Sequence, residues 1–331
     1  MNHGSFPAVR RLHGIVLALA SAAMLAEAQT PPRAAPRTEL MLVTGSESGT
    51  YYAMGRDVKR LLDEVAPDSG IDLAIVPSQG ALQNVIDVFR YSSIQLGISQ
   101  SDVLAYLEIY ARGDADARRA VGGLQIVGYF FEEDVYLFGR PGINGFGDLT
   151  GKRVDIGPAG SGTTVTSLVL LHLAGVEPRE LVNFPEITDA VTALRKGRID
   201  AFFRVAATPT DYLKESISAS HGFVLVPIRL SPSPASAPLA QHYVPSTIPA
   251  RAYPWLDRPV DTVKVRTVVV TSGAPSGSSV CDAIGRLARI VSEHRSWLER
   301  NGHPKWKDHS GARDLSADPR ASSCVVQALR R

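Results

Sequence analysis

The sequence carries no excess of charge of either sign: 35 Lys and Arg stand against 33 Asp and Glu in 331 residues, a formal net charge of +2. That balance argues against a nucleic-acid-binding surface, which needs a concentrated basic field, and against attachment to anionic lipid by charge alone. Beyond Leu25 the chain lacks any uninterrupted apolar stretch near the roughly 20 residues that a bilayer-spanning helix requires. Global disorder is excluded by what is present, since 44% of residues are apolar and a packed core can form. Cysteine is scarce: Cys281 and Cys324 are the only two.

Motifs of catalysis are missing too. In Gly157-Pro158-Ala159-Gly160-Ser161-Gly162-Thr163-Thr164, Thr163 stands where a phosphate-binding loop needs lysine. Val165 stands where the dinucleotide fingerprint needs its third glycine. No Gly-x-Ser-x-Gly elbow occurs. The eight histidines are scattered without His-Glu-x-x-His spacing, and His172 reads as half-buried packing. Glu132, Glu133 and Asp134 are adjacent at a strand end, so their side chains alternate in direction and make no carboxylate pair. Neither catalysis, nor a cofactor, nor a metal is expected.

At the N-terminus, Arg10 and Arg11 precede an apolar run from Ile15 to Leu25, and Ala26-Glu27-Ala28 follows. This is the pattern of a secretory signal peptide cleaved near Ala28, and it predicts export to the periplasm. In that oxidising compartment the two cysteines read as one bridge, with two unpaired buried thiols as the alternative. Residues 29–38 hold Pro31, Pro32 and Pro36 without periodicity and read as a flexible leader.

From Glu39 onward, short apolar runs alternate with helical stripes. Strands are predicted at Leu40–Val43, Ile71–Val76, Ile94–Ile98, Leu124–Tyr129, Val135–Phe138, Val154–Ile156, Leu181–Phe184, Ala201–Val205 and Val263–Val270. Helices carry the stripes Met54/Val58/Leu61/Leu62/Val65, Leu82/Val85/Ile86/Phe89, Ile187/Ala190/Val191/Leu194 and Ile284/Leu287/Ala288/Val291/Leu298, with two more at Ser101–Ala111 and Gly162–Ala174. Ser231–Pro238 reads as a surface loop, and little regular structure is expected beyond Gly302. Alternation of this kind implies an α/β fold, a mostly parallel sheet covered by helices.

Three loops follow strands and open helices: Gly45–Tyr52, Ser99–Asp102 and Gly157–Thr164. Ligands of open α/β sheets bind at such places, where the first amides of a helix lack intrahelical partners and the dipole favours negative charge. One terminus contributes about 0.3 to 2 kcal/mol, against about 8 kcal/mol for a micromolar ligand. The loops must therefore converge on one molecule. Arg204 ends the run Ala201-Phe202-Phe203 at the same edge of the sheet. Two readings stand level for it, a bidentate clamp on a solute carboxylate and an ion pair with an acidic neighbour.

Taken in order, several segments resemble the TAXI family of TRAP-transporter solute receptors. They are Thr44-Gly45 with Ser48–Tyr52, Leu96–Asp102, Leu149–Val154, Gly160–Thr163, Gly197–Phe203, and Ile248-Pro249-Ala250 with Tyr253-Pro254. The resemblance implies a two-lobed type II periplasmic binding protein, each lobe a mostly parallel sheet flanked by helices. Lobe I would be 39–126 plus 243–331, lobe II 127–242, and the ligand cleft would lie between them. It implies a receptor, expected to be a monomer, that captures a small carboxylate (an amino acid or dicarboxylate) and delivers it to TRAP membrane permease subunits. A ligand-binding sensory subunit reporting to a membrane signalling partner is the alternative. The family's pocket would fall on Gly49, Thr50, Tyr51 and Tyr52, on Gln100, Ser101 and Asp102, and on Ser161, Gly162 and Thr163. Tyr51 and Tyr52 would form a wall, donors of Ser161 to Thr164 would hold one carboxylate, and Gln100 and Ser101 the other polar end. The chain departs from the family at Arg204, where an aromatic or apolar residue is expected, and at Arg251-Ala252, which replaces a glycine-containing pair.

Overall fold

Alternating apolar runs and helical stripes become alternating strands and helices in the computed structural model. It describes residues 37–110, 113, 115–231, 234–309 and 315–330. The expected signal peptide, nearly all of the expected leader, Ala111, Pro232 and Ser233 lie outside the described residues. The chain runs β1 (Thr38–Val43), α1 (Thr50–Glu64), β2 (Ile71–Val76), α2 (Ala81–Arg90), β3 (Leu96–Gln100), α3 (Ser101–Tyr110), α4 (Ala115–Gly123) and β4 (Gln125–Gly139). Next come β5 (Arg153–Asp155), α5 (Gly162–Ala174), β6 (Glu180–Val182), α6 (Ile187–Arg195), β7 (Ala201–Ala206), α7 (Asp211–Ser216), β8 (Val224–Leu225), α8 (Ala237–Ala240) and β9 (Tyr243–Ile248). The last elements are β10 (Val260–Thr271), α9 (Ser279–Glu293), α10 (Arg295–Asn301) and α11 (Ser323–Leu329).

Among the described residues one sheet runs β2-β1-β3-β10-β4-β7-β5-β6, with β8 against β4 and β9 against β10. Its two wings are parallel, β2-β1-β3 on one side and β7-β5-β6 on the other. The centre is antiparallel because β4 carries the chain from the first wing to the second and β10 carries it back. The carboxyl half of β10 pairs with β3, from Thr267 opposite Gln100 to Val270 opposite Gly97. Its amino half pairs with β9. β4 pairs with β10 up to Asp134 and then with β7, from Asp134 opposite Ala206 to Gly139 opposite Ala201. Two passages through one seam join the halves.

The expected α/β class holds, and the departures from it have identifiable causes. Two strands were expected around the acidic triplet, but β4 runs through it without a break. Each carboxylate is buried with a partner: Glu132 with Arg266 at 3.5 Å, Asp134 with the Ser246 hydroxyl at 2.7 Å, and Glu133 with the donors described below. Paired in this way, acidic residues can stay inside a sheet. Helix α2 turns a different face inward from the one its apolar stripe predicts. Phe89 is 50% exposed while Asn84 is fully buried. The Asn84 amide donates to the carbonyls of Thr44 and Ile98, and its oxygen accepts from Ser78 at 2.5 Å. Such satisfaction outweighs hydropathy, and the close approach of β3 at Gly97, where a Cβ would lie 2.9 Å from Val88, fixes the rotation.

The predicted long terminal helix breaks at His294 into α9 and α10. Strand β9 was not anticipated, nor were the short α8 within the Ser/Pro segment and α11 beyond Gly302. Helix α5 has the predicted bounds, with Ser161 accepting from the Thr164 amide at its start and Gly175 in the left-handed conformation at its end.

Cys281 on α9 and Cys324 on α11 form a disulfide with Cα atoms 5.2 Å apart. Gly285 lets the two helices touch, since a Cβ there would sit 2.6 Å from the Cys324 carbonyl. The bridge closes a loop of 43 residues, for which chain entropy gives about 4 kcal/mol of stabilisation. Replacing both cysteines by alanine should lower the unfolding free energy by about that amount in a denaturant titration. Unchanged stability would show that the α9–α11 contact holds without the bond.

Candidate functional site

The three loops lie at the carboxyl ends of β1, β3 and β5, and the structure draws all three to the seam. The first opens α1: Gly49 is its extended N-cap, Thr50 and Tyr52 are half-buried, and Tyr51 turns inward. The second is shorter than expected, because Ser99 and Gln100 belong to β3 and Ser101 and Asp102 already to α3. The third turns at Gly157 and Gly160, both with positive φ, before Gly162 begins α5.

Glu133 stands at the centre. A single oxygen, Oε2, accepts from the Tyr51 hydroxyl at 2.5 Å, the Gln100 amide at 2.8 Å and the Thr267 hydroxyl at 3.1 Å. These donors come from the first loop, the end of β3 and β10. Burial pushes the Glu133 carboxyl upward, opposed by the three hydrogen bonds and by the charge of Lys305. Burial and the adjacent carboxylate also raise the Tyr51 hydroxyl well above its ordinary range. The sequence reading passed over Glu133 because alternation separates it from Glu132 and Asp134. That separation is real, and it is what sends Glu133 alone toward the loops. An acidic side chain within a long apolar strand was the available signal.

The third loop closes against the other two. A Cβ on Gly162 would fall 1.8 Å from the Gln100 side-chain amide oxygen, so any other residue there must displace that side chain. The Gly160 carbonyl accepts from the Gln83 amide at 2.9 Å, and Gly80 backs onto Ser161. Asp102 links three elements, accepting at Oδ2 from Thr166 of α5 at 2.6 Å and Tyr243 of β9 at 2.8 Å. It is fully buried, and burial outweighs these bonds, pushing its carboxyl up to about 6. The loop hydroxyls are largely committed. Ser161 caps Thr164, Thr164 donates to the Pro158 carbonyl at 2.6 Å, and Thr163 accepts from the Val205 amide at 3.1 Å. What this loop presents toward the seam is therefore backbone.

Arg204 takes the second of its two readings. Its guanidinium is 3% exposed and donates to Asp155 Oδ2 at 2.7 Å and to the Phe203 carbonyl at 2.6 Å. Asp155 Oδ1 in turn accepts from the amides of Gly157 and Phe184. With its charge matched and its face over the Phe202 ring, the arginine fixes the third loop from beneath. Its Nε is buried and makes no hydrogen bond among the described residues.

Beside the seam opens a cleft of about 820 Å³, lined by the Thr208–Asp211 turn after β7, the loop from Arg251 to Asp257, and the segment from His303 to Asp308. Of these residues sequence reasoning singles out Tyr253-Pro254, within the family resemblance, and Arg251-Ala252, as a departure from it. Arg251 has φ +64°, a conformation in which glycine is at ease and arginine is strained. Lys305 lines the cleft and lies 5.6 Å from the Phe131 ring, adjoining the Glu133 site. Among the described residues no three His, Cys, Asp or Glu side chains are grouped to hold a metal.

The sequence profile of the NMT1-like family matches residues 42–282. The chain belongs to the NMT1-like family. Its match spans every strand from β2 to β10 and all three loops. Among solved structures, XAC2383 from Xanthomonas citri bound to chloride ion is 13% identical, with 88% of this chain and 98% of that one covered and a TM-score of 0.50. A substrate-binding protein of an ABC uptake transporter from Streptococcus pneumoniae, with bound histidine, is 12% identical over 83% of this chain and 95% of that one, also at 0.50. Likeness at this identity establishes the fold, which for this NMT1-like chain is that of periplasmic binding proteins.

Two outcomes follow from the buried charges. Arg204→Ala leaves Asp155 uncompensated and should cost about 3–5 kcal/mol in denaturant unfolding; a loss under about 1 kcal/mol would refute the buried pair. Asp102 titrates near 6 when folded against an ordinary 3.8, so between those values the folded state holds more protons. Its contribution is complete below pH 3.8 and falls away as pH rises to about 6, by roughly 3 kcal/mol. The wild type should thus lose stability relative to Asp102→Asn across that window, and a pH-independent difference would count against the assignment.

Proposed function

We propose that this NMT1-like protein is an extracytoplasmic solute-binding receptor of the TRAP type. It captures a small carboxylate, an amino acid or dicarboxylate, and delivers it to membrane permease subunits. The observation that carries this reading is the meeting of three separate loops, from both wings of the sheet, at one buried seam without a nucleophile–base pair. The TAXI resemblance of the same loops supports the TRAP assignment, and a structure of the same fold holds histidine.

In this reading two lobes part and close across β4 and β10, and the solute bridges them, shifting an open–closed population. The backbone of Ser161, Gly162, Thr163 and Thr164 receives a carboxylate at the start of α5. Gln100, Ser101 and Asp102 take the opposite end, and Gly49, Thr50, Tyr51 and Tyr52 form the side wall. Arg204 acts only through Asp155, as a support of the third loop.

A thermal-shift screen of amino acids and dicarboxylates tests the proposal. A solute at 100 times its Kd should add about 2.7 kcal/mol to the folded state, and Gly162→Val should abolish the gain by holding the seam apart. A panel in which no solute raises the melting temperature would refute the receptor reading.

A further inference from the structure

We infer that the side of the seam built by Gln100, Ser101, Asp102 and Glu133 selects solutes that carry a primary ammonium group. This rests on the receptor reading above and narrows the class of solute. The argument is one of unmatched acceptors. Among the described residues Gln100 Oε1, Ser101 Oγ and Asp102 Oδ1 are buried and have no side-chain hydrogen-bond partner, the Asp102 carboxyl being otherwise eased only by the amides of Asp102 and Val103. Their residues are 2%, 8% and 0% exposed, so water does not satisfy them freely. All three lie on consecutive residues at the end of β3 and the start of α3, and two of these residues reach α5, Gln100 at Gly162 and Asp102 at Thr166. Gln100 Oε1 points across the seam at Gly162.

The charges agree with the acceptors. Glu133 and Asp102 are buried carboxylates within this cluster, and the three donors to Glu133 all land on Oε2, leaving Oε1 outside those bonds. The cations that could offset them are engaged elsewhere: Arg204 with Asp155 at 2.7 Å and Arg266 with Glu132 at 3.5 Å. Lys305, whose charge bears on Glu133, is bonded to Asp308 at 2.6 Å. A solute carboxylate brought here adds lone pairs and negative charge to a place rich in both. An ammonium supplies three donors and a positive charge, and charge-assisted bonds of that kind are the strong ones. The α5 amides across the seam remain for the anionic end.

Calorimetric titration with matched pairs, each an α-amino acid and the 2-hydroxy acid of the same carbon skeleton, tests this. The amino member of a binding pair should bind at least tenfold tighter. Ser101→Ala should weaken it at least threefold, with the melting temperature unchanged, because that hydroxyl has no internal partner to lose. Glu133→Gln should weaken it tenfold or more where the variant folds; where it does not, Ser101→Ala decides. Hydroxy acids binding as well as amino acids, or unaltered affinity in Ser101→Ala, would overturn the ammonium selection and leave the receptor intact. Failure of every acid in both sets to bind would overturn both.

Discussion

One carboxylate oxygen organises the seam. Glu133 Oε2 collects hydrogen bonds from a helix start, a strand end and the returning strand, so three stretches of chain remote in sequence share one acceptor. A buried carboxylate is tolerable only when hydrogen-bonded, and each donor is itself buried, so none can be lost without leaving a costly orphan. The group that makes the site acidic thus also holds its parts in register. The crossover strands β4 and β10 themselves supply Glu133 and Thr267, so the knot lies where the chain passes between the two wings.

A second network keeps the third loop rigid. Arg204, Asp155 and the amides of Gly157 and Phe184 form a closed chain of buried polar contacts. The loop hydroxyls are spent on caps, so what remains available is a fixed set of amides at the start of α5. Buried charge at this edge of the sheet is thereby turned to holding backbone, with Arg204 acting on the loop through Asp155.

Much of the fold was legible in the sequence because it is locally encoded. Helix α5 has a Ser161 cap and a Gly175 stop, β2 is a bounded apolar run, and the strand–helix alternation sets the α/β class. The three loops were legible for the same reason, since small residues after a strand announce a helix start. What escaped depended on partners far along the chain. Asn84 outranks Phe89 for the interior only because Thr44, Ile98 and Ser78 wait for it. Glu133 becomes central only once Tyr51, Gln100 and Thr267 are brought to it, and Arg204 could not be decided until Asp155 lay 2.7 Å away. Strand β9 is recognised by its pairing with β10 rather than by its own composition.

The missing side chain at Gly162 has a geometric corollary. Where α5 meets Gln100 the contact is backbone on one side and the Gln100 side-chain amide on the other. Backbone has no rotamers with which to yield, and the glutamine is itself held by its bond to Glu133. Bulk added at Gly162 must therefore be absorbed by the glutamine, and through it by the acceptor that gathers three stretches of chain, as a wedge at one keystone loosens a whole arch.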